Sequence, residues 1–551
     1  MERMREKNGF TLIELLAVIV ILAVIALIAT PLIMGVIDDA RKGSAKNGAY
    51  GYVKALENTI ATEMIKDTTI SPSPIQTTVG QVVFTKRANN GNMEGVGTRG
   101  INYKGTKPSR HNLNIINGTV GNGSCIVISG YGFQMNHNEW NEINAEACKE
   151  SANGKIIVDV KAGMIPVTFD RNGNTVVADT TQEWYNYDEK KWANAVSVTS
   201  ASRNKYQNKA GTIIDENDIL AYFVYIPRYR YQLWNAENGV SNEQTINIEF
   251  EISGETKKNG TKNGEWLTHP AFTFGNTELN GIWVGKFELT GTGSTPTTKP
   301  NQMSLTSQNI STAWNTIRLF STNAEYGLTS YDAHMMKNSE WGAVAYLSHS
   351  KYGKNGEVWI NNVNTGTGVA NNGVQWGPSI TGCAGTSASA GIQNNMTACE
   401  SGRDYKNAGV NASTTGNIYG IYDMSGGVWE RVVASVVNED GTFIPASSGF
   451  TSKPESKYYD EYPYNTDSYN FSISKLGDTM RETRKKTSTN NQNWYNDYTI
   501  MPGNTSDCVN CVWVNRGGLA YYGSGAGLFS VGRNAGDAGA GYGSRAVVVA
   551  G

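Results

Sequence analysis

The sequence predicts an α+β multidomain chain: a long amino-terminal membrane and stem helix, a small β region, and a large, irregular, mostly β domain. Three observations lead there. Residues 10–37 form an apolar run with a single ionisable side chain, Glu14. Beyond residue 75 the apolar runs shorten and alternate with Asn-Gly turns. The composition combines 61 glycines with 13 tryptophans and 28 tyrosines, the signature of a loop-rich body fixed by aromatic anchors. A length of 551 residues fits several structural units rather than one. Lys+Arg 47 nearly balances Asp+Glu 49, so the chain lacks the basic field that nucleic-acid binding requires.

The elements follow in order. Residues 1–9 form a short, slightly basic leader, which keeps that end cytoplasmic. Residues 10–65 are read as a membrane and stem helix. At about 1.5 Å per residue, the run 10–37 exceeds the roughly 30 Å hydrocarbon layer. Beyond it Val53, Leu56, Ile60 and Met64 recur at helical spacing, so the helix continues as an amphipathic stem until Ser71-Pro-Ser-Pro74 stops it. Residues 66–154 read as a small sheet packed on the stem, with runs at Leu113–Ile116 and Cys125–Ser129 around the turn Asn117-Gly118. The last domain, 155–551, opens with a run at Ile156–Val160. A hairpin follows, in which Asn172-Gly173 joins Val167–Phe169 to Thr175–Val177. No repeat of 20–50 residues is present, which argues against a propeller or solenoid.

The six cysteines fall into three local couples, Cys125 with Cys148, Cys383 with Cys399, and Cys508 with Cys511, a distribution suited to disulfides in an oxidising compartment. The five histidines (His111, His137, His269, His334, His349) show no metal-ligand spacing. His334 and His349 flank one segment and are candidates to meet in space. Asp170-x-Asn172-x-Asn174 lacks the glycine and glutamate of a calcium loop, so a hairpin turn is expected there. No metal and no catalytic cofactor is expected, structural calcium aside.

Gly9-Phe10-Thr11-Leu12-Ile13-Glu14, followed by an apolar helix containing Pro31, resembles the class III signal of type IV pilins and pseudopilins. The resemblance implies cleavage after Gly9 by a prepilin peptidase and methylation of Phe10. Glu14 would neutralise the terminal amine of a neighbouring pilin-like subunit, and Pro31 would let the helix bend. The couple Cys125 and Cys148 resembles the disulfide-bounded region of pilins.

Within 155–551, Phe223–Pro227, Trp283–Thr290, Met336–Trp341 and Asn417–Glu430 stand in the order of the formylglycine-generating-enzyme-like family, a variant of the C-type lectin fold. Asn515-Arg516-Gly517-Gly518 and Gly543-Ser-Arg545 match its closing elements. Gly426-Gly427 permits a tight turn, Trp429 enters the core, and Glu430 is expected to cap or pair with a buried arginine such as Arg516. The family's enzymes carry two copper-binding cysteines after Arg-Gly-Gly. Residues 512–551 contain none, so the chain is not expected to be such an enzyme. Cys508-Val-Asn-Cys511 reads as a clamp, with a redox pair as the alternative. Gly427 stands where the family often has Asn, which removes one calcium ligand.

Residues 515–551 are crowded with Gly, Ala, Ser and Tyr and contain no Lys, Glu, Gln, Met or Trp. Those five are among the amino acids unreachable when adenines of asparagine codons are randomised. The tail therefore resembles the variable region of retroelement-diversified proteins, which use this fold for ligand binding. The candidate contact positions are Leu519, Ala520, Tyr521, Tyr522, Ser530, Gly532, Asn534, Ala535, Asp537, Ala540 and Tyr542, with Arg516, Gly517, Gly518 and Arg545 as scaffold. Together the readings imply a minor or tip pilin-like subunit. It sits in the cytoplasmic membrane before assembly and then displays its C-terminal domain at the cell surface to an extracellular protein or glycan. The alternatives are a divergent secreted enzyme and a structural pilin.

Overall fold

A computed structural model describes the chain except for residues 1–10, 71–74, 88–92, 117, 137–138, 149–154, 181, 234–242, 255–258, 262–263, 368, 372–373, 486–491 and 551. It divides into two compact units. The first comprises Met1–Asp67, Thr77–Val83 and Thr98–Ser151, and the second Thr68–Gln76, Phe84–Gly97 and Ala152–Gly551.

The first unit is dominated by the helix α1, Leu12–Lys66. Thr11 caps its start: the Thr11 hydroxyl accepts the Glu14 amide proton while the Glu14 carboxylate takes the Thr11 N–H at 2.9 Å. The helix runs through Pro31 and ends at Lys66, before Ser71-Pro-Ser-Pro74, which lies outside the described residues. Among the described residues no helix is long and apolar enough to cross a membrane. The side chains at positions 28, 31 and 32 lie outside those described. Ala45, Ala49, Tyr52, Val53, Leu56 and Ile60 are buried at helical spacing, so the second half of α1 is the amphipathic stem. A four-stranded antiparallel sheet belongs to the same unit: β1 Arg110–Asn112, β2 Cys125–Ile128, β3 Tyr131–Asn136 and β4 Glu139–Ile143. Cys125 and Cys148 are bonded, closing the segment that carries β2 to β4.

The second unit is built on two sheets. In the larger, the strands are β5 Ile165–Phe169, β6 Thr175–Val177, β7 Asn194–Val198, β8 Ile219–Pro227, β9 Gly281–Gly285, β10 Tyr331–Met335 and β16 Ala546–Ala550, in the spatial order β6-β5-β7-β8-β9-β16-β10. Every pairing is antiparallel. The register Val167 opposite Val177 gives the expected hairpin, and Asp170 closes its turn by accepting the amide protons of Asn172 and Asn174. Burial follows sequence pattern: β5 reads Ile-Pro-Val-Thr-Phe with alternate residues buried, whereas the unbroken apolar run of β8 is buried on both faces. The run Ile156–Val160 departs from expectation. Ile156 and Ile157 are buried, but the segment forms no strand and its apolar side chains fill the core from an irregular path.

The second sheet has β11 Trp429–Val436 at its centre. β13 Trp513–Gly517 flanks it antiparallel on one side, with β14 Gly527–Asn534 beyond. On the other side β15 Tyr542–Ser544 and β12 Asp460–Tyr462 pair in parallel with its first and second halves. Helices α2 Ile310–Thr322 and α3 Asn338–Ser348 belong to the same core, every residue of α3 being buried. At Gly342 the helix is so close to the backbone of Gly477 that a Cβ there would collide with the Gly477 carbonyl oxygen. The Trp341 indole donates to the Leu528 carbonyl at 2.7 Å, tying α3 to β14.

Glu482, 2% exposed, accepts protons from the Tyr231 hydroxyl at 2.9 Å, the Tyr346 hydroxyl at 2.6 Å and the Gly477 amide at 2.6 Å. Burial pushes this carboxyl up to about 7. The folded form therefore holds the proton more tightly than the unfolded chain, whose glutamate titrates near about 4.3. The stability this contributes is complete below that value and is lost as pH rises through about 7. Glu482→Gln, with no proton to lose, should gain about 3 kcal/mol relative to the parent between pH 5 and pH 8. Denaturant unfolding of both proteins in detergent at the two pH values checks the sign.

Candidate recognition surface

The tail reads from composition alone as a poor core, yet most of it is interior. It supplies β13, β14, β15 and β16, and its last strand lies between β9 and β10 in the larger sheet. Its glycines explain this. A Cβ at Gly532 would lie 2.8 Å from the Trp429 ring, and one at Gly543 would lie 2.7 Å from Val428. A Cβ at Gly527 would collide with the Asp497 carboxylate. Strands without side chains at these points let large residues of neighbouring segments close over them.

The eleven candidate contact positions separate into two groups. Leu519, Ala520, Ser530, Gly532 and Asn534 are buried, and the Ser530 hydroxyl donates to the Tyr498 carbonyl at 3.0 Å. These five face the interior. Tyr521 and Asp537 are exposed, while Tyr522, Ala535, Ala540 and Tyr542 are partly exposed.

The exposed group surrounds an aromatic cluster. Trp429, only 4% exposed, is its floor. The Tyr522 ring stands edge-to-face on it at 5.6 Å, and Tyr498 stacks on Tyr522 at 5.3 Å with 17° between planes. Tyr521 packs on Tyr522 at 5.7 Å, and Trp376 and Tyr542 close the far side. Arg431, one residue beyond Glu430, lies with its guanidinium 4.3 Å from the Tyr542 ring centre. It donates to the Gln308 carbonyl at 2.7 Å and also to the Asp537 carbonyl. Burial lowers its pKa to about 10, so it stays charged at neutral pH. Arg431, Tyr498 and Trp376 were not legible as site residues. Adjacency to the Trp429-Glu430 pair was the one available signal for Arg431, and the other two belong to segments with no motif.

Main-chain bonds hold the segment 535–541, in which Asp537 and Ala538 are exposed. The carbonyls of Ala535, Gly536, Gly539 and Gly541 accept amide protons of Ser447, Ile310, Ser307 and Trp429 at 2.7, 3.2, 3.1 and 3.0 Å, and that of Asp537 takes the Arg431 guanidinium. The Tyr498 amide donates to the Gly525 carbonyl at 2.8 Å, and that of Ala520 to Gly427 at 3.0 Å. Side chains at the exposed positions thus carry little of the fold.

The scaffold pairing differs from expectation. Glu430 binds Arg545, which donates to both carboxylate oxygens, one through Nε at 2.8 Å. Arg545 also donates to the carbonyls of Gly285 at 2.8 Å and Tyr422 at 2.9 Å. Arg516 lies opposite Glu430 in register but donates to the Thr479 hydroxyl and, at 3.2 Å, to the Leu528 carbonyl. The arginine of the closing element, not that of Arg-Gly-Gly, therefore neutralises Glu430. Burial raises Glu430 to about 7 against the opposing charge of Arg545, and raises neighbouring Glu288 and Asp423 as well. Gly426 and Gly427 take φ of +78° and +65°, and a Cβ at Gly427 would lie 2.5 Å from the Glu288 carboxylate. Gly517 and Gly518 also have positive φ, at +84° and +79°.

Other candidate chemistry disperses. His334 hydrogen-bonds Glu340 at 2.9 Å before the start of α3, whereas His349 caps its end against Trp494 and Phe529, so the two do not meet. His137 lies outside the described residues. All six cysteines are paired, Cys383 with Cys399 and Cys508 with Cys511 in addition to the first couple. Among the described residues no group of three or more His, Cys, Asp or Glu is arranged to hold a metal. Gly9 and Phe10 lie outside the described residues, as does the Pro31 side chain.

Gly532→Ala should destabilise by about 1–3 kcal/mol through the clash with Trp429, whereas Asp537→Arg and Ala540→Arg should stay within about 0.5 kcal/mol of the parent. Thermal unfolding of the three variants in detergent tests whether main-chain bonds hold the exposed segment.

Residues 4–30 match the family model described as the prokaryotic N-terminal methylation motif. No curated protein matches the chain. The matched segment contains Gly9, Phe10 and Glu14, and it marks the amino-terminal end as that of a type IV pilin-like protein, with pilin-like subunits and prepilin peptidase as its general partners.

Proposed function

We propose that the chain is a minor or tip pilin-like subunit that displays a C-type-lectin-like recognition domain at the cell surface. The match of residues 4–30 to the methylation motif supports the pilin-like part of this reading. Residues 10–37 hold the precursor in the cytoplasmic membrane, since the sequence is apolar over a length that exceeds the hydrocarbon layer. Prepilin peptidase cleaves after Gly9 and Phe10 becomes the methylated terminus. In the assembled filament Glu14 exchanges its bond to Thr11 for the amine of a neighbouring subunit, two opposite charges in a low-dielectric setting. A second unit that begins its main body at Ala152 is large beside the pilin-sized first unit, which favours a terminal place over repetition along a shaft.

Recognition is assigned to the aromatic cluster around Trp429. The terminal strand β16 between β9 and β10 supports a lectin-like organisation, in which the end of the domain returns to its earlier strands. The main-chain anchoring of 535–541 supports a surface whose side chains vary without refolding, the behaviour expected of a retroelement-diversified tail.

Mass spectrometry of protein purified from the filament fraction should find N-methylated Phe10 as the first residue. An unprocessed terminus would remove the pilin-like reading. Glu14→Leu should insert into the membrane normally yet reach filaments at a small fraction of the parental level, measured by immunoblotting sheared filaments, because the neighbour's amine is left without a counter-charge.

A further inference from the structure

We infer that the Cys508–Cys511 bond is a thiol-sensitive latch: closed, it holds the segment 501–507 on Arg533 of β14, and opened by a small thiol it releases that segment. The two cysteines stand in one strand of the hairpin formed by Gly503–Thr505 and Cys508–Cys511. Gly503 pairs with Cys511 and Thr505 with Cys508, so two steps of one strand face three of the other, and the extra residue makes a bulge. Three steps of an ordinary strand span about 10 Å. Here the Cα atoms of Cys508 and Cys511 are 5.5 Å apart. Asn510 takes φ of +59°, in the left-handed region, and both it and Val509, 71% exposed, are in solvent. The bond, rather than packing over the bulge, keeps this strand bent.

The bend positions Asp507, the residue before Cys508. The Asp507 carboxylate accepts from Arg533 at 2.6 Å, from the Thr505 hydroxyl at 2.7 Å and from the Ser468 hydroxyl at 3.1 Å. Arg533 donates further to the Thr505 hydroxyl at 2.8 Å and the Met501 carbonyl at 3.4 Å. Its side chain is only 4% exposed, and these three acceptors all lie in 501–507. Cys508 is half-buried, so its Sγ is within reach of a small thiol. A thiolate attacks Cys508 Sγ, the S–S bond breaks and Cys511 leaves as a thiolate. A second thiolate attacks the mixed disulfide and frees Cys508. Two small thiols are thereby oxidised to one disulfide, the cysteine pair takes up the two electrons, and the two protons end on Cys508 and Cys511. The bulged residue then re-enters the ladder, and a change of register by one residue re-forms the turn and withdraws Asp507 from Arg533.

The test is graded reduction of the full chain in detergent micelles with 2-mercaptoethanol, read by iodoacetamide labelling with peptide mass spectrometry and then by amide hydrogen exchange. Cys508 and Cys511 should be labelled at concentrations that leave Cys148 and Cys383 unlabelled, since those two are fully buried in apolar clusters together with their partners and reclose once opened. At that point exchange should quicken about threefold or more within 501–511, where Met501 and Asn504 donate to the carbonyls of Ser468 and Asn465, and stay unchanged in β16. Cys508→Ser combined with Cys511→Ser should exchange like the reduced parent without any thiol. Asp507→Asn, with the disulfide intact, should quicken the same amides about two- to fivefold. Labelling of Cys508 and Cys511 together with or after the other couples would overturn the thiol sensitivity. Selective reduction with unchanged exchange in 501–511, or with a rise spread over the whole second unit, would overturn the latch. Unchanged exchange in Asp507→Asn would overturn the part assigned to its pair with Arg533.

Discussion

The ion pair between Glu430 and Arg545 is the constraint on which the second unit depends. Glu430 belongs to β11 at the centre of one sheet, and Arg545 stands between β15 of that sheet and β16 of the other. The same guanidinium holds the carbonyl of Gly285 at the end of β9 and that of Tyr422 before the Gly426-Gly427 turn. One fully buried cation therefore fixes the distance between two sheets and a connecting loop. Its net contribution to stability is small, because desolvation offsets much of the attraction. Its value is positional: it satisfies several buried acceptors at once, and loss of either partner leaves a charge in the core at a cost of about 3–5 kcal/mol. Glu288 and Asp423 gather at the same cation, and burial raises the pKa of both, as it does that of Glu430.

The surface is a consequence of that frame. Trp429 precedes Glu430 and Arg431 follows it, so in one strand the middle residue locks the sheets while its neighbours underlie the exposed aromatic cluster. Arg431 makes no salt bridge among the described residues, although the Asp537 carboxylate acts on it electrostatically, and its donors are directed to main-chain carbonyls and a ring. A buried arginine used in this way holds a loop by features every residue possesses. The loop's side chains are thereby released from structural duty, which separates what keeps the fold from what can meet a ligand.

Much of the first unit was legible because its signals are local. Gly9 to Glu14 is a contiguous motif, and Val53, Leu56 and Ile60 mark the buried stripe by spacing alone. The hairpin at Asp170 was equally local, its turn closed by bonds within five residues. What escaped was long-range. Glu430 chose Arg545 over Arg516 because of how two sheets meet, and no spacing rule encodes that choice. Tyr498 reaches the surface through a main-chain bond to Gly525, a residue type that gives no hint of it. The run Ile156–Val160 has strand composition, yet the core is filled from it without a partner strand, so tertiary burial prevailed over local propensity.

The tail's composition illustrates why sequence bias alone is ambiguous. The same glycines that suit a diversified codon set are required by contacts: Gly532 by Trp429, Gly543 by Val428, and Gly518, with φ of +79°, by Ala526, from which a Cβ would lie 2.8 Å. Packing therefore accounts for the interior glycines without any appeal to variation. It does not account for Tyr521, Ala535, Asp537 or Ala540, which lie at the surface on a backbone held by its own carbonyls. Any functional meaning of the bias must reside in that exposed subset. A residue such as Ser530, whose hydroxyl donates to the Tyr498 carbonyl from inside, belongs to the frame and not to that exposed subset.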